Sequence, residues 1–108
     1  MQGYLFLSNR EETCVLQFKE ILYIQQNGRK VIIRGVDRVH YSYDSFKEVT
    51  KDLDGRFYQC LKYTYVNLDQ IKRLQDQTII FKTDSTLLVG RDCFVRVRQT
   101  FAGYYKRK

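Results

Sequence analysis

No proline interrupts this chain, and its β-branched and aromatic residues recur in short runs separated by turn-forming residues about every eight to twelve positions. That rhythm is the habit of an all-β sandwich or barrel, so a mainly β fold is expected. The expected strands of the first half are Tyr4–Leu7, Thr13–Phe18, Leu22–Gln26, Val31–Arg34 and Arg38–Tyr43. Those of the second half are Tyr63–Asn67, Ile71–Leu74, Thr78–Lys82 and Thr86–Val89. Asn27-Gly28 has the composition of a type I′ hairpin turn, in which both central residues take positive φ, and it puts basic residues at the tip of a hairpin from Gln26 to Arg34. Two segments break the period of two. Ser45 can cap a short helix that runs to about Leu53, with Phe46, Val49 and Leu53 three and four apart. A second helix is expected from Arg91 to about Ala102, with Phe94, Val97 and Phe101 on one face, followed by a basic, frayed tail at 104–108.

The 108 residues have room for one domain, expected to span 1–108. Nineteen Lys and Arg against twelve Asp and Glu give a net charge of +7. The halves differ: up to Asp54 there are eight basic and eight acidic residues, and after it eleven basic and four acidic. An excess gathered in one half points to a polyanion, because phosphates neutralised by Lys and Arg release counterions and attract the protein at long range. An acidic membrane surface, or a basic face that simply meets water, would carry the same signal. No run approaches the roughly 18 apolar residues of a spanning helix, and the start of the chain lacks the pattern of an export leader, so no membrane insertion and a cytoplasmic location are expected. Cys14, Cys60 and Cys93 are odd in number and lack C-x-x-C spacing, so neither a disulfide framework nor a zinc site is indicated and no cofactor is expected.

Catalysis finds no support in the residues. His40 is the only histidine, and no Ser or Cys beside it makes a nucleophile motif, so it reads as a plain strand residue or a surface contact. The acidic residues are spread singly, and no phosphate-binding glycine loop occurs.

Four pieces in order carry a resemblance. They are Phe18-Lys19-Glu20-Ile21-Leu22-Tyr23-Ile24-Gln25; the helical stretch from Phe46 to Leu53; Phe57-Tyr58-Gln59-Cys60-Leu61-Lys62-Tyr63-Thr64-Tyr65-Val66-Asn67-Leu68 with Ile71; and Leu88-Val89-Gly90-Arg91. Together they resemble a LytTR domain, the DNA-binding module of LytR/AlgR-type bacterial regulators, over about Phe6 to Phe101. The resemblance implies small packed antiparallel sheets with short helices, and loops that enter successive major grooves of double-stranded promoter DNA, often at direct repeats. By position it puts base contacts on Arg29, Lys62 and Arg91. Lys30, Arg34, Tyr63 and Lys72, with the backbone N–H groups that open the Arg91 helix, are the expected phosphate contacts. Arginine presents a planar fork that matches O6 and N7 of guanine, and lysine reaches the same edge as a point charge.

Asn67 belongs to the family's Val-Asn signature, but at a strand end it is read here as a side-chain cap of the following turn. Phe57, Tyr65 and Ile71 are read as core. Cys60 falls where family members carry cysteine; redox control is one reading and a small buried apolar residue the other. The sequence departs from the family at Leu61, where histidine is common, at Tyr63, where serine is usual, and at Gly90, where serine often precedes the arginine. The family's module usually follows a receiver domain, so this chain is expected to be an excised effector domain or a stand-alone regulator, with a protein partner or a homodimer on DNA in view. Two other classes remain open from the residues: a β-rich RNA- or polyanion-binding module, for which Tyr41, Tyr43, Tyr104 and Tyr105 are the available stacking residues, and a protein-interaction domain with a basic face.

Overall fold

The computed structural model describes residues 3–107. The chain opens with a two-stranded antiparallel hairpin, β1 (Tyr4–Ser8) and β2 (Thr13–Gln17), and a 3-10 turn at Phe18–Glu20. β3 (Ile21–Asn27), β4 (Lys30–Gly35), β5 (Val39–Ser42), β6 (Phe57–Leu61) and β7 (Thr64–Asn67) then form an antiparallel sheet in the order β5-β4-β3-β7-β6. The short helix α1 (Phe46–Thr50) lies between β5 and β6 in the chain. After a 3-10 turn at Leu68–Gln70, β8 (Ile71–Gln75), β9 (Thr78–Phe81) and β10 (Thr86–Leu88) make a three-stranded meander, and α2 (Arg91–Lys106) follows.

The central strand explains the layering. In β3 the run Ile21-Leu22-Tyr23-Ile24 is apolar throughout, because both faces of the five-stranded sheet are covered. Ile21 and Ile24 join a core with Leu5, Leu7, Leu16 and Phe46, beneath the β1–β2 hairpin and α1. Leu22 joins a second core with Val66, Phe81, Cys93 and Val97, beneath the meander and α2. A register shift between Ile21 and Tyr23 lets neighbouring residues serve alternate cores without strict alternation.

Several expectations need correction. β6 is a strand that the period of two does not reveal. Both faces of the sheet are covered here, so Phe57 packs into the first core while Tyr58 and Cys60 pack into the second, and only Gln59 and Leu61 are exposed; buried residues on both faces hide the alternation from the sequence. The β3–β4 turn is not type I′: Asn27 pairs with Lys30, the central residues are Gly28 and Arg29, and only Gly28 has positive φ, at 63°. Glycine at the first central position is the habit of type II′. Two consecutive positive φ angles occur instead at Asp76 and Gln77, between β8 and β9. Helix α1 stops at Thr50, short of Leu53, although Val49 and Leu53 still pack on the first core. Helix α2 passes Ala102 and continues to Lys106, because Tyr104 donates a hydrogen bond to Asp69 Oδ1 (2.8 Å) and the Phe101 and Tyr105 rings pack at 4.9 Å. Residues 104–106 are therefore helical, and Lys108 lies outside the described residues.

Ser45 caps α1 as expected, its Oγ accepting from Glu48 N at 3.0 Å. Ser45→Ala is expected to cost about 1 kcal/mol, read as a lower denaturation midpoint at unchanged slope.

Candidate nucleic-acid interface

Antiparallel pairing decides which loops meet. The β3–β4 turn carries Arg29, and the β6–β7 turn carries Lys62 and Tyr63. Because β3 pairs with β7 as well as β4, these two turns fall at the same end of the five-stranded sheet, and Gln26 N donates to Tyr63 O at 3.0 Å between them.

Helix α2 brings the third position to the same end. Arg96 donates to the carbonyl of Cys60 (2.7 Å), near the β6–β7 turn, while Tyr104 bonds Asp69 beyond the opposite end of β7. The helix therefore runs away from the turns, and Arg91 projects about 7.5 Å further toward them than Arg96 does, at 1.5 Å per residue. The β8–β9 turn arrives there too: Val89 N donates to Gln77 O (3.0 Å), and the Gln77 side-chain amide donates to Val89 O (3.3 Å). Arg29, Lys62 and Arg91 are all exposed, and among the described residues none forms an ion pair. Lys62 Nζ lies 5.4 Å from the centre of the Tyr63 ring. Gly90 caps α2 without a side-chain hydrogen bond, which leaves the N–H groups of the first turn and the positive end of the helix dipole pointing into this end. Asp76 and Asp92 are the acidic residues nearest these turns in the chain.

The expected phosphate contacts divide. Lys30 begins β4 beside Arg29, its Nζ 5.1 Å from the Tyr41 ring centre, and Tyr63 shares the Lys62 turn. Arg34 and Lys72 lie at the other end. Arg34 is four residues along β4 from Lys30, about 13 Å away, and its guanidinium donates to Ser85 Oγ (3.1 Å). Lys72 enters β8 from the far end, with Nζ 3.0 Å from Asp84 Oδ1. The sequence could not separate these two from Lys30, because strand direction relative to the turns is a tertiary property.

Two side chains at the turn end were not singled out for a role there. Leu61 is 44% exposed beside Lys62, and Leu88, at the end of β10, is 74% exposed. Adjacent in β10, Leu87 and Leu88 point to opposite faces, and Leu87 packs on the second core while Leu88 does not.

Asn67 is fully buried. Its amide donates to the carbonyls of Phe18 (3.0 Å) and Ile21 (2.8 Å), and its Oδ1 accepts from Asp69 N (3.0 Å). It caps the 3-10 turn, as read from the sequence, and also ties that turn to the one before β3. Phe57 and Ile71 are buried, and Tyr65 is half-buried against the first core. Cys60 is 2% exposed, and burial, with Cys93 beside it, pushes its thiol up to about 12, the opposite of a reactive thiolate. Tyr41 and Tyr43 lie at the end of β5 with ring centres 5.6 Å apart, and Tyr104 and Tyr105 on α2 with centres 5.5 Å apart, so the four do not share one strand face.

Among the described residues no helix is long and apolar enough to cross a membrane. Comparison with curated proteins finds no matching sequence. A solved LytTr DNA-binding domain from Bacillus cereus is similar in fold, with a TM-score of 0.68 at 16% identity over 99% of this chain and 96% of that one. The family model for the LytTr DNA-binding domain matches residues 11–102. On that match the chain belongs to the LytTr family, the DNA-binding domains of transcription regulators.

Proposed function

We propose that this domain reads double-stranded DNA by sequence, entering major grooves with Arg29, Lys62 and Arg91, and that it serves as the effector of a transcriptional regulator. The observation that carries the reading is the gathering, at one end of the fold, of three exposed cations from three separate loops that form no ion pair among the described residues. A rigid sheet behind exposed turns suits groove insertion, since the turns are held at both ends. Lys30, Tyr63 and the opening N–H groups of α2 hold phosphates and set the register. Leu61 and Leu88 are placed for apolar contact with thymine methyls. Arg34 and Lys72, each partnered inside the chain, contribute to long-range attraction.

Selection from a random duplex library at physiological salt tests the proposal. A recovered motif, repeated in direct orientation so that two copies of the chain sit side by side, supports it; absence of enrichment would favour a protein partner for the basic face. Lys30→Ala is expected to weaken binding to cognate and random duplexes alike and to flatten the salt dependence by about one unit of slope. Lys72→Ala is expected to change both less than Lys30→Ala does, as measured by fluorescence anisotropy over a salt series.

A further inference from the structure

We infer a transition-metal site formed by Glu12, Cys14 and His40, remote from the DNA-reading turns, with zinc as the cation its donor set fits. One ligand atom from each residue lies within 4.8 Å of the other two. Cys14 Sγ is 3.5 Å from Glu12 Oε1, and His40 Nδ1 is 2.9 Å from Glu12 Oε2. Neighbouring ligands on a tetrahedral zinc, with bonds of about 2.0–2.3 Å, stand about 3.3–3.8 Å apart, so these donors need only small shifts to close on an ion.

The fold builds this cluster from separate elements. Glu12 and Cys14 are two residues apart at the entry to β2, so both face the side on which Leu16 enters the core. His40 comes from β5, the edge of the five-stranded sheet, with its side chain 3% exposed. Thiolate, imidazole and carboxylate are the donors of zinc, and three protein ligands leave one position for water or an exogenous group.

The outer shell is present as well. His40 Nε2 is buried and makes no hydrogen bond among the described residues, yet Asp37 Oδ1 lies 3.5 Å from it. With a metal on Nδ1, the ring proton sits on Nε2 and Asp37 is its acceptor, the carboxylate–histidine–metal arrangement. At present the Arg38 guanidinium supplies the positive charge at the Glu12 carboxylate, at 2.5 and 3.3 Å. Its side chain is 56% exposed, so it can leave for solvent when an ion enters. The Cys14 proton passes to solvent as the zinc–sulfur bond forms. The bound ion would fasten the β1–β2 hairpin to the edge strand β5.

Cobalt and zinc titrations of the untagged, chelator-treated full chain test the inference. Cobalt is expected to bind once per chain with a thiolate-to-cobalt charge-transfer band and tetrahedral d–d absorption, and zinc to displace it. Cys14→Ser, a small change at a half-buried position, is expected to abolish the band and to weaken zinc binding about 100-fold or more, beyond the loss typical of outer-shell changes. Asp37→Asn, at a positioning residue, is expected to keep the band and to weaken zinc about 10-fold. Because His40 variants remove a buried side chain, Cys14→Ser carries the decision, with its circular dichroism matched to the parent. Absence of the band in the parent protein, or its persistence in Cys14→Ser, overturns the site.

Discussion

Asn67→Ala is expected to lower the free energy of unfolding by about 3–5 kcal/mol, a large share of what a domain of this size possesses. The side chain satisfies the carbonyls of Phe18 and Ile21 and the N–H of Asp69, and it is shut off from water. Truncation leaves all three groups without that partner, each at about 1–3 kcal/mol, with partial relief where water enters. Asn67→Asp is expected to be at least as damaging, since it keeps the acceptor, loses both donors and brings a carboxylate against two buried carbonyls. Urea denaturation gives the answer. A fall in midpoint, with DNA affinity of the remaining folded protein unchanged, is the expected outcome; an unchanged midpoint with lost binding would move Asn67 into the interface.

Arg91→Ala is expected to cost on the order of 1–3 kcal/mol on a cognate duplex and to relax preference at a single base pair. The residue opens α2, exposed, at a helix start whose cap is glycine. Arg91→Lys separates two contributions: it retains the charge and hence the salt slope, but loses the bidentate fork and with it the discrimination. Competition binding against duplexes varied one base pair at a time measures both variants. Equal weakening on cognate and random DNA would reduce Arg91 to a phosphate contact.

The residues already announced much of this architecture. β-Branched and aromatic runs between turn residues marked β1 and β4, in which the buried residues alternate, Leu5 with Leu7 and Val31 with Ile33. β6 gave no such run, because Gln59 interrupts it and its two buried residues, Phe57 and Cys60, serve opposite cores. The extent of α2 was hidden because Gly103 and the basic residues after it look like a terminus, whereas the hydrogen bond from Tyr104 to Asp69 carries the helix on. The resemblance to family positions singled out Arg29, Lys62 and Arg91, and the fold brings these three exposed residues to one end. What could not be read was the displacement of Arg34 and Lys72 to the far end, which depends on how β4 and β8 run relative to the turns. Nor could the meeting of Glu12 with His40, 28 residues away, which depends on packing the first hairpin against the edge of the sheet.

The turns that gather at one end are secured by groups other than the side chains proposed to read bases. Backbone bonds join Gln26 to Tyr63 and Gln77 to Val89, and the side-chain amides of Gln26 and Gln59 hold the carbonyls of Gly28 and Lys62. Architecture and vocabulary are thereby uncoupled. Exchanges at positions 29, 62 and 91 are expected to leave the melting temperature nearly level, so that, on the proposed reading, a lineage built on this scaffold drifts from one operator to another by single substitutions.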